Sequence, residues 1–157
     1  MTQKLTNQRP KIALFEPDIP QNTAAIIRTC ACLGAKLEII KPCGFLISDK
    51  RFKRVVMDYI NLVEISRYYD FQDLVKKNKN SRIILMTTKA KKSVFKFDFK
   101  KNDIILLGRE SKGVPEFIHN FLNNKIKIPI TNKSRSLNVA ISAAISATEA
   151  LRQLKKF

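Results

Sequence analysis

The chain has 157 residues, 45% of them hydrophobic, with 30 Lys and Arg against 13 Asp and Glu and a formal net charge of +17. That size suits one domain with a core needing no disulfide or metal staple, and the apolar content excludes a disordered chain. No apolar run approaches the roughly 18 residues of a membrane span, Met1 to Lys11 carries no signal-peptide segment, and the charge favours a polyanionic partner, although a Lys-rich composition alone supplies part of it.

In chain order, residues 1–10 read as a loose tail and residues 11–157 as a single domain. Lys11 to Glu16 is a buried strand, and Pro17 and Pro20 mark the loop after it. Asn22 can cap a helix running to about Leu33, with Gly34 as its stop. Lys36 to Lys41 is a second strand, followed by a turn from Pro42 to Phe45. Asp49 to Met57 forms a short basic helix and Leu62 to Ile65 a short strand. Asp70 to Lys77 is helical, with Phe71 and Leu74 on one face. Arg82 to Met86 is another buried strand, and Thr87 to Ser93 a basic loop. Asp103 to Leu107 is a strand delivering the chain to Gly108. Pro115 opens a helix at its favoured first position, Lys125 to Ile130 is the last strand, and Leu137 to Lys155 the last helix. Alternating strands and helices, several strands continuously apolar, predict an α/β fold with a mostly parallel sheet flanked by helices. The last helix is poor in bulk at Ala140, Ser142, Ala143, Ala144, Ser146 and Ala147. That pattern fits tight packing on the sheet and equally a close contact between helices of two subunits.

Several chemistries are disfavoured. The first strand leads into Glu16-Pro17-Asp18-Ile19-Pro20, which lacks the glycines of a dinucleotide fingerprint. Gly108 to Gly113 resembles the opening of a phosphate-binding loop, but Val114-Pro115 stands where Lys-Ser/Thr is required. No nucleophile elbow is present. Cys30, Cys32 and Cys43 read as core thiols, and the lone His119 as structural or exposed, so no metal is expected. With no zinc finger or basic zipper, DNA is not expected either. What remains are four loops at strand C-termini, where open α/β sheets bind ligands. They carry Asn22 with Arg28, then Met86 to Lys89, then Gly108 to Pro115, then Thr131 to Asn138. Taken singly, their Ser and Asn residues are ordinary caps and turn formers.

Taken together they carry a resemblance. Pro17-Asp18-Ile19-Pro20-Gln21-Asn22-Thr23 with Arg28 looks like the first motif of the SPOUT-class RNA 2'-O-methyltransferases. Leu106 to Pro115 looks like the second. Ile128-Pro129-Ile130 with Ser134 to Ala140 looks like the third. Phe15-Glu16-Pro17, Lys41-Pro42 to Phe45 and Met86-Thr87-Thr88-Lys89 resemble the single-domain subgroup that methylates the tRNA wobble nucleotide, a cytidine or modified uridine. The resemblance implies a C-terminal trefoil knot, an exception to the rule that chains are unknotted. It further implies S-adenosylmethionine as methyl donor (S-adenosylhomocysteine as product), no metal, tRNA as partner, a homodimer with sites at the interface, and a cytoplasmic setting. By position, Met86, Thr87, Gly108, Ile128, Ser136 and Leu137 line the cofactor pocket. Arg28 orients or polarises the ribose hydroxyl, Asn22, Glu110 and Asn138 support the geometry, and Lys89 and Arg135 contact RNA. Arg109, Lys112, Ala90 and Thr148 depart from the family pattern. A sibling acting on another tRNA or rRNA ribose, or a non-catalytic RNA-binding module of the same fold, are the competing readings.

Overall fold

The computed structural model describes residues 9–156. Seven strands form one all-parallel sheet in the order β3-β2-β1-β6-β4-β7-β5. They are β1 (Lys11–Phe15), β2 (Lys36–Ile40), β3 (Ile65–Tyr68), β4 (Ile83–Met86), β5 (Lys92–Ser93), β6 (Ile104–Leu107) and β7 (Asn124–Lys127). The helices are α1 (Pro20–Leu33), α2 (Lys50–Val56), α3 (Phe71–Lys77), α4 (Glu116–Phe121) and α5 (Val139–Gln153).

Successive strand side chains point to opposite faces, so the apolar runs of β1, β4 and β6 feed two cores at once. Ile12, Leu14, Ile84, Ile105 and Leu107 join α1, α2 and α5 on one face. Ala13, Phe15, Ile83, Leu85, Ile104 and Leu106 meet Phe71 and Leu74 of α3 and Ile118 of α4 on the other. The small residues of the last helix find their use here. Ala143, Ser146, Ala147 and Ala150 are almost fully buried within the chain, where α5 packs against α1, β1 and β6. Of the two readings of that composition, packing inside the chain accounts for these positions.

Several sequence boundaries shift: Pro115 is the N-cap of α4 rather than its first residue, and the last helix spans Val139–Gln153 rather than Leu137 to Lys155. The first helix starts at Pro20, with Ile19 as N-cap, because proline suits the first helical position. Asn22 therefore does not cap it, and Gly34, at φ 65°, ends it as expected. The expected strand at Leu62 to Ile65 lies three residues later, because Met57–Leu62 continues α2 as a 3-10 helix. Within the basic loop, Lys92–Ser93 adds an edge strand on β7. The last strand stops at Lys127, before Pro129, whose missing N–H cannot extend a ladder. At the N-terminus, residues 1–8 of the expected tail lie outside the described residues. Arg9 and Pro10 are held: Arg9 donates to the carbonyls of Leu33 (2.6 Å) and Lys156 (3.1 Å), and Pro10 is buried. Cys30 is buried as expected, whereas Cys43 is half-buried and Cys32 exposed, since Cys32 falls on the outward face of α1.

Candidate active site

The chain runs from β1 to β2 on one side and sets β6 on the other, so strand order reverses between β1 and β6. A crevice opens outside the strand C-termini at such a point. A cavity of about 410 Å³ lies there, within the range of small-molecule sites. Met86 and Thr87 follow from β4, Leu107, Gly108 and Glu110 from β6, and Ile128 and Ile130 from the segment after β7; Ser136, Leu137 and Asn138 precede α5, and Ile19 and Asn22 open α1.

Three polar side chains tie these loops together. With Pro20 starting the helix, Asn22 is free to face the cavity rather than cap. Its Nδ2 donates to Glu110 Oε1 at 3.3 Å, and its Oδ1 accepts from Asn138 Nδ2 at 2.9 Å. Asn138 meanwhile caps α5, its Oδ1 accepting from the backbone N–H of Ala140 at 2.8 Å. One side chain thus fixes both a helix terminus and the site. Glu110 Oε2 accepts from the Asp18 backbone N–H at 3.0 Å, and Ser111 Oγ donates to Asp18 Oδ2. Burial, then the facing Asp18 carboxylate, push the Glu110 carboxyl up. Asp18 is held down at about 2, chiefly by its side-chain hydrogen bonds with Glu110 and Ser111 and further by the Arg109 charge.

The glycine loop is closed on itself. Gly113 N–H donates to the Arg109 carbonyl at 2.8 Å, and Gly113 sits at φ 66°. A Cβ on Gly108 would meet Gly113 backbone at 2.7 Å, so the two strands of the loop can approach only because Gly108 has no side chain. Arg109 turns back to β1, its Nη2 lying 3.3 Å from Glu16 Oε2 and its Nε donating to the Glu16 carbonyl. Glu16 itself has a positive φ of 43°, a strained geometry for a residue with a side chain.

Of the residues named from sequence, Met86, Thr87, Gly108, Ile128, Ser136, Leu137, Asn22, Glu110 and Asn138 all line the cavity. Arg28 lies six residues along α1 from Asn22, on a different side of the helix and exposed, with its guanidinium 4.8 Å from the centre of the Tyr59 ring. Lys89 and Arg135 are exposed and outside the lining. His119, expected to be structural or exposed, is half-buried and lines the cavity, its pKa lowered by burial and by Lys89 and Lys125. Its neighbour Ile118 is fully buried against the sheet, which anchors α4 beside the cavity. Pro115, the N-cap of α4, four residues before it and just past the glycine loop, was the available signal. Arg109 and Ile19 also line the cavity and were not named as site residues.

Chemically, Met86, Leu107, Ile128 and Leu137 give apolar walls, Thr87 and Ser136 give hydroxyls, and Glu110 gives an acid. Segments 128–130 and 136–137 run outside any strand or helix, which leaves their backbone carbonyls, and their N–H groups except at Pro129, open to a ligand. Such a set suits a flat heteroaromatic ring carrying polar groups. Among the described residues, no three His, Cys, Asp or Glu are grouped to hold a metal ion, and no helix is long and apolar enough to cross a membrane.

Residues 9–148 match the SpoU rRNA Methylase family. The tRNA (cytidine(34)-2'-O)-methyltransferase of Beijerinckia indica is 44% identical over 145 residues, covering 91% of each chain. A chain solved in a study of the 2-OH methylation of C/U34 on tRNA superposes with TM-score 0.90 at 32% identity, covering 96% of this chain and 99% of that one. A SpoU methyltransferase from Streptomyces viridochromogenes, solved in complex with the cofactor AdoMet, shares the fold: TM-score 0.83, 22% identity, covering 96% of this chain and 59% of that one.

Proposed function

Because the chain belongs to the SpoU rRNA Methylase family, we propose that it is an S-adenosylmethionine-dependent tRNA methyltransferase acting on the ribose 2'-oxygen of the wobble nucleotide. The reading is carried by one cavity that gathers Asn22, Glu110 and Asn138 with Gly108, Ile128 and Leu137. Met86, Thr87, Gly108, Ile128, Ser136 and Leu137 hold the cofactor, and the apolar walls and open backbone groups described above fit its adenosyl part. Bound there, it supplies a methyl group already activated by the sulfonium charge.

The protein's own task is to set a ribose hydroxyl in line with that methyl group. The hydroxyl is a weak acid, and its oxygen gains negative charge as its proton passes to solvent water. Arg28 stabilises that charge; a guanidinium stays protonated in proteins, so it acts electrostatically rather than as a base. Asn22, Glu110 and Asn138 keep the loops in register around the reacting atoms. Lys89 and Arg135, both exposed, take RNA phosphates. The same reading makes residues 11–157 one catalytic domain with a C-terminal trefoil knot, in a cytoplasmic setting.

The enzyme acts as a homodimer. Ala25, Arg28 and Cys32 form an exposed stripe on α1, and Ile141, Ala144, Ile145 and Thr148 line the outward side of the neighbouring α5. Ile141 is 51% exposed, and Ile19 and Leu137, on the cavity rim, are 41% and 38% exposed. This small-residue, apolar surface beside the cavity supports a two-fold contact there. Arg28 stands within it, so we place its guanidinium in the partner's site.

The test is methyl transfer from labelled S-adenosylmethionine to total tRNA, followed by nucleoside mapping, for wild type and Arg28→Ala. Label on a wobble ribose is expected, with a loss on the order of 10²-fold in the variant. Label on another ribose would move the substrate, and none on any RNA from a folded, cofactor-binding protein would overturn the activity.

A further inference from the structure

A second cavity, of about 510 Å³, lies at the C-terminal ends of β2 and β3 and has no part in the site above. Cys43, Phe45, Leu46, Ile47 and Ile60 form apolar walls, with Ile39 at the floor. Lys41, Lys53 and Arg67 also line it, and no acidic side chain does. All three cations are exposed. Lys41 and Arg67 lie close enough to Cys43 to favour its thiolate, although burial of the thiol outweighs them and raises its pKa. The combination is an apolar slot with cations and no balancing anion, complementary to a ligand with an apolar flat body and a negative group.

Two further observations say which ligand. The turn that lines this cavity is tied to the loop leading into the active site: Gly44 N–H donates to the Pro17 carbonyl at 2.9 Å. A Cβ on Gly44 would meet Asp18 at 2.9 Å, so the turn is pressed against the loop carrying Asp18. Beyond the cavity, Tyr69 is 77% exposed with the Lys41 ammonium 4.5 Å over its ring. Exposed aromatic faces interleaved with cations are how proteins hold unstacked nucleotides. The chain's net charge of +17 points the same way.

Resting on the tRNA reading, we infer that this cavity is a second nucleotide site. It takes the base of an unpaired substrate nucleotide near the methylated one, with Lys41, Lys53 and Arg67 on the adjoining phosphates. A slot of this kind fixes the register of a single strand, so that one ribose in the loop reaches the methyl group.

The test uses full-length enzyme and unfractionated tRNA. Lys53→Glu and Leu46→Glu alter exposed rim positions that the core does not need; Leu46 is 72% exposed. Lys79→Glu, in the exposed turn between α3 and β4 and outside the lining of either cavity, makes the same charge change as Lys53→Glu and controls for the general field. The two rim variants should raise KM for tRNA about tenfold beyond the control, with kcat and S-adenosylmethionine binding unchanged. In a Cys32→Ser background Cys30 is buried, so a small methanethiosulfonate reports on Cys43. Bound tRNA should slow that labelling severalfold, and S-adenosylmethionine alone should not. Equal KM values for rim and control variants, with Cys43 unprotected while wild type still methylates tRNA, would sink the second site and leave the activity standing. Protection by oleate but not by tRNA would assign the cavity to an acyl chain instead. Failure of wild type to bind or methylate any tRNA would remove the activity and this site together.

Discussion

Two carboxylates sit side by side at the head of the site, and their environments drive them apart. Asp18 keeps its charge because Glu110 and Ser111 hydrogen-bond it and Arg109 lies near, which holds it at about 2 against an ordinary 3.8. Glu110, more buried and facing that charge, is pushed up. The signs are opposite. Asp18 contributes stability that is present above its unfolded pKa and lost as pH falls toward 2. Glu110 contributes stability that is present below its unfolded pKa and lost as pH rises through its folded one. Asp18→Asn removes the facing anion, so the Glu110 midpoint should fall toward the ordinary carboxylate range. Carboxyl-carbon NMR of labelled protein reads this directly; an unchanged midpoint would mean that burial alone sets it. Asn22, Glu110 and Asn138 were legible in the sequence because each stands in a loop motif. Arg109 was visible only as a departure, since its partner Glu16 is 93 positions away and spacing gives no hint of the pair.

At the scale of elements, α5 couples fold to site through Asn138, which caps the helix and donates to Asn22. The two roles can be separated. Asn138→Ala removes both, and should cost about 1 kcal/mol of stability for the lost cap. Asn138→Asp keeps an acceptor for the cap but loses the Nδ2 donor and sets a carboxylate against Asn22 Oδ1. It should therefore melt close to wild type while kcat/KM falls on the order of 10²-fold, the effect of a misplaced constellation. Thermal melts beside single-turnover rates check this, and equal activity losses proportional to destabilisation would refute the separation. The strands β1, β2, β4 and β6 were readable because each is a buried apolar run. β5 was not, as Lys92 and Ser93 carry no apolar signal and pair with β7 only because that edge is open. β3 slipped by three residues because Met57–Leu62 tightened into a 3-10 helix, which propensity does not mark.

The order of the strands lies beyond any local pattern. β4 sits between β6 and β7, and β1 between β2 and β6, pairings across long stretches of chain that only the folded sheet decides. The same holds for Arg28. Its motif position marks it for the site, yet along α1 it is six residues from Asn22, about 240° around the helix. In one chain it therefore rests over Tyr59, outside the cavity. Its position on the exposed stripe of α1 resolves the conflict if the site is completed by a second copy. This can be tested without a structure of the dimer. Arg28→Ala and Asn138→Asp are each expected to be nearly inactive alone. If Arg28 serves the partner's site, mixed dimers contain one complete site, built from Asn138 of the first chain and Arg28 of the second. Unfolding and refolding the two variants together in equal amounts makes half the dimers mixed, so activity should recover to roughly a quarter of wild type under random pairing of a closed two-fold dimer. Were Arg28 to act within its own chain, every site in the mixture would lack one group or the other, and no activity would return. Rescue also requires subunit exchange, so the same mixture shows that the enzyme is a dimer when it works.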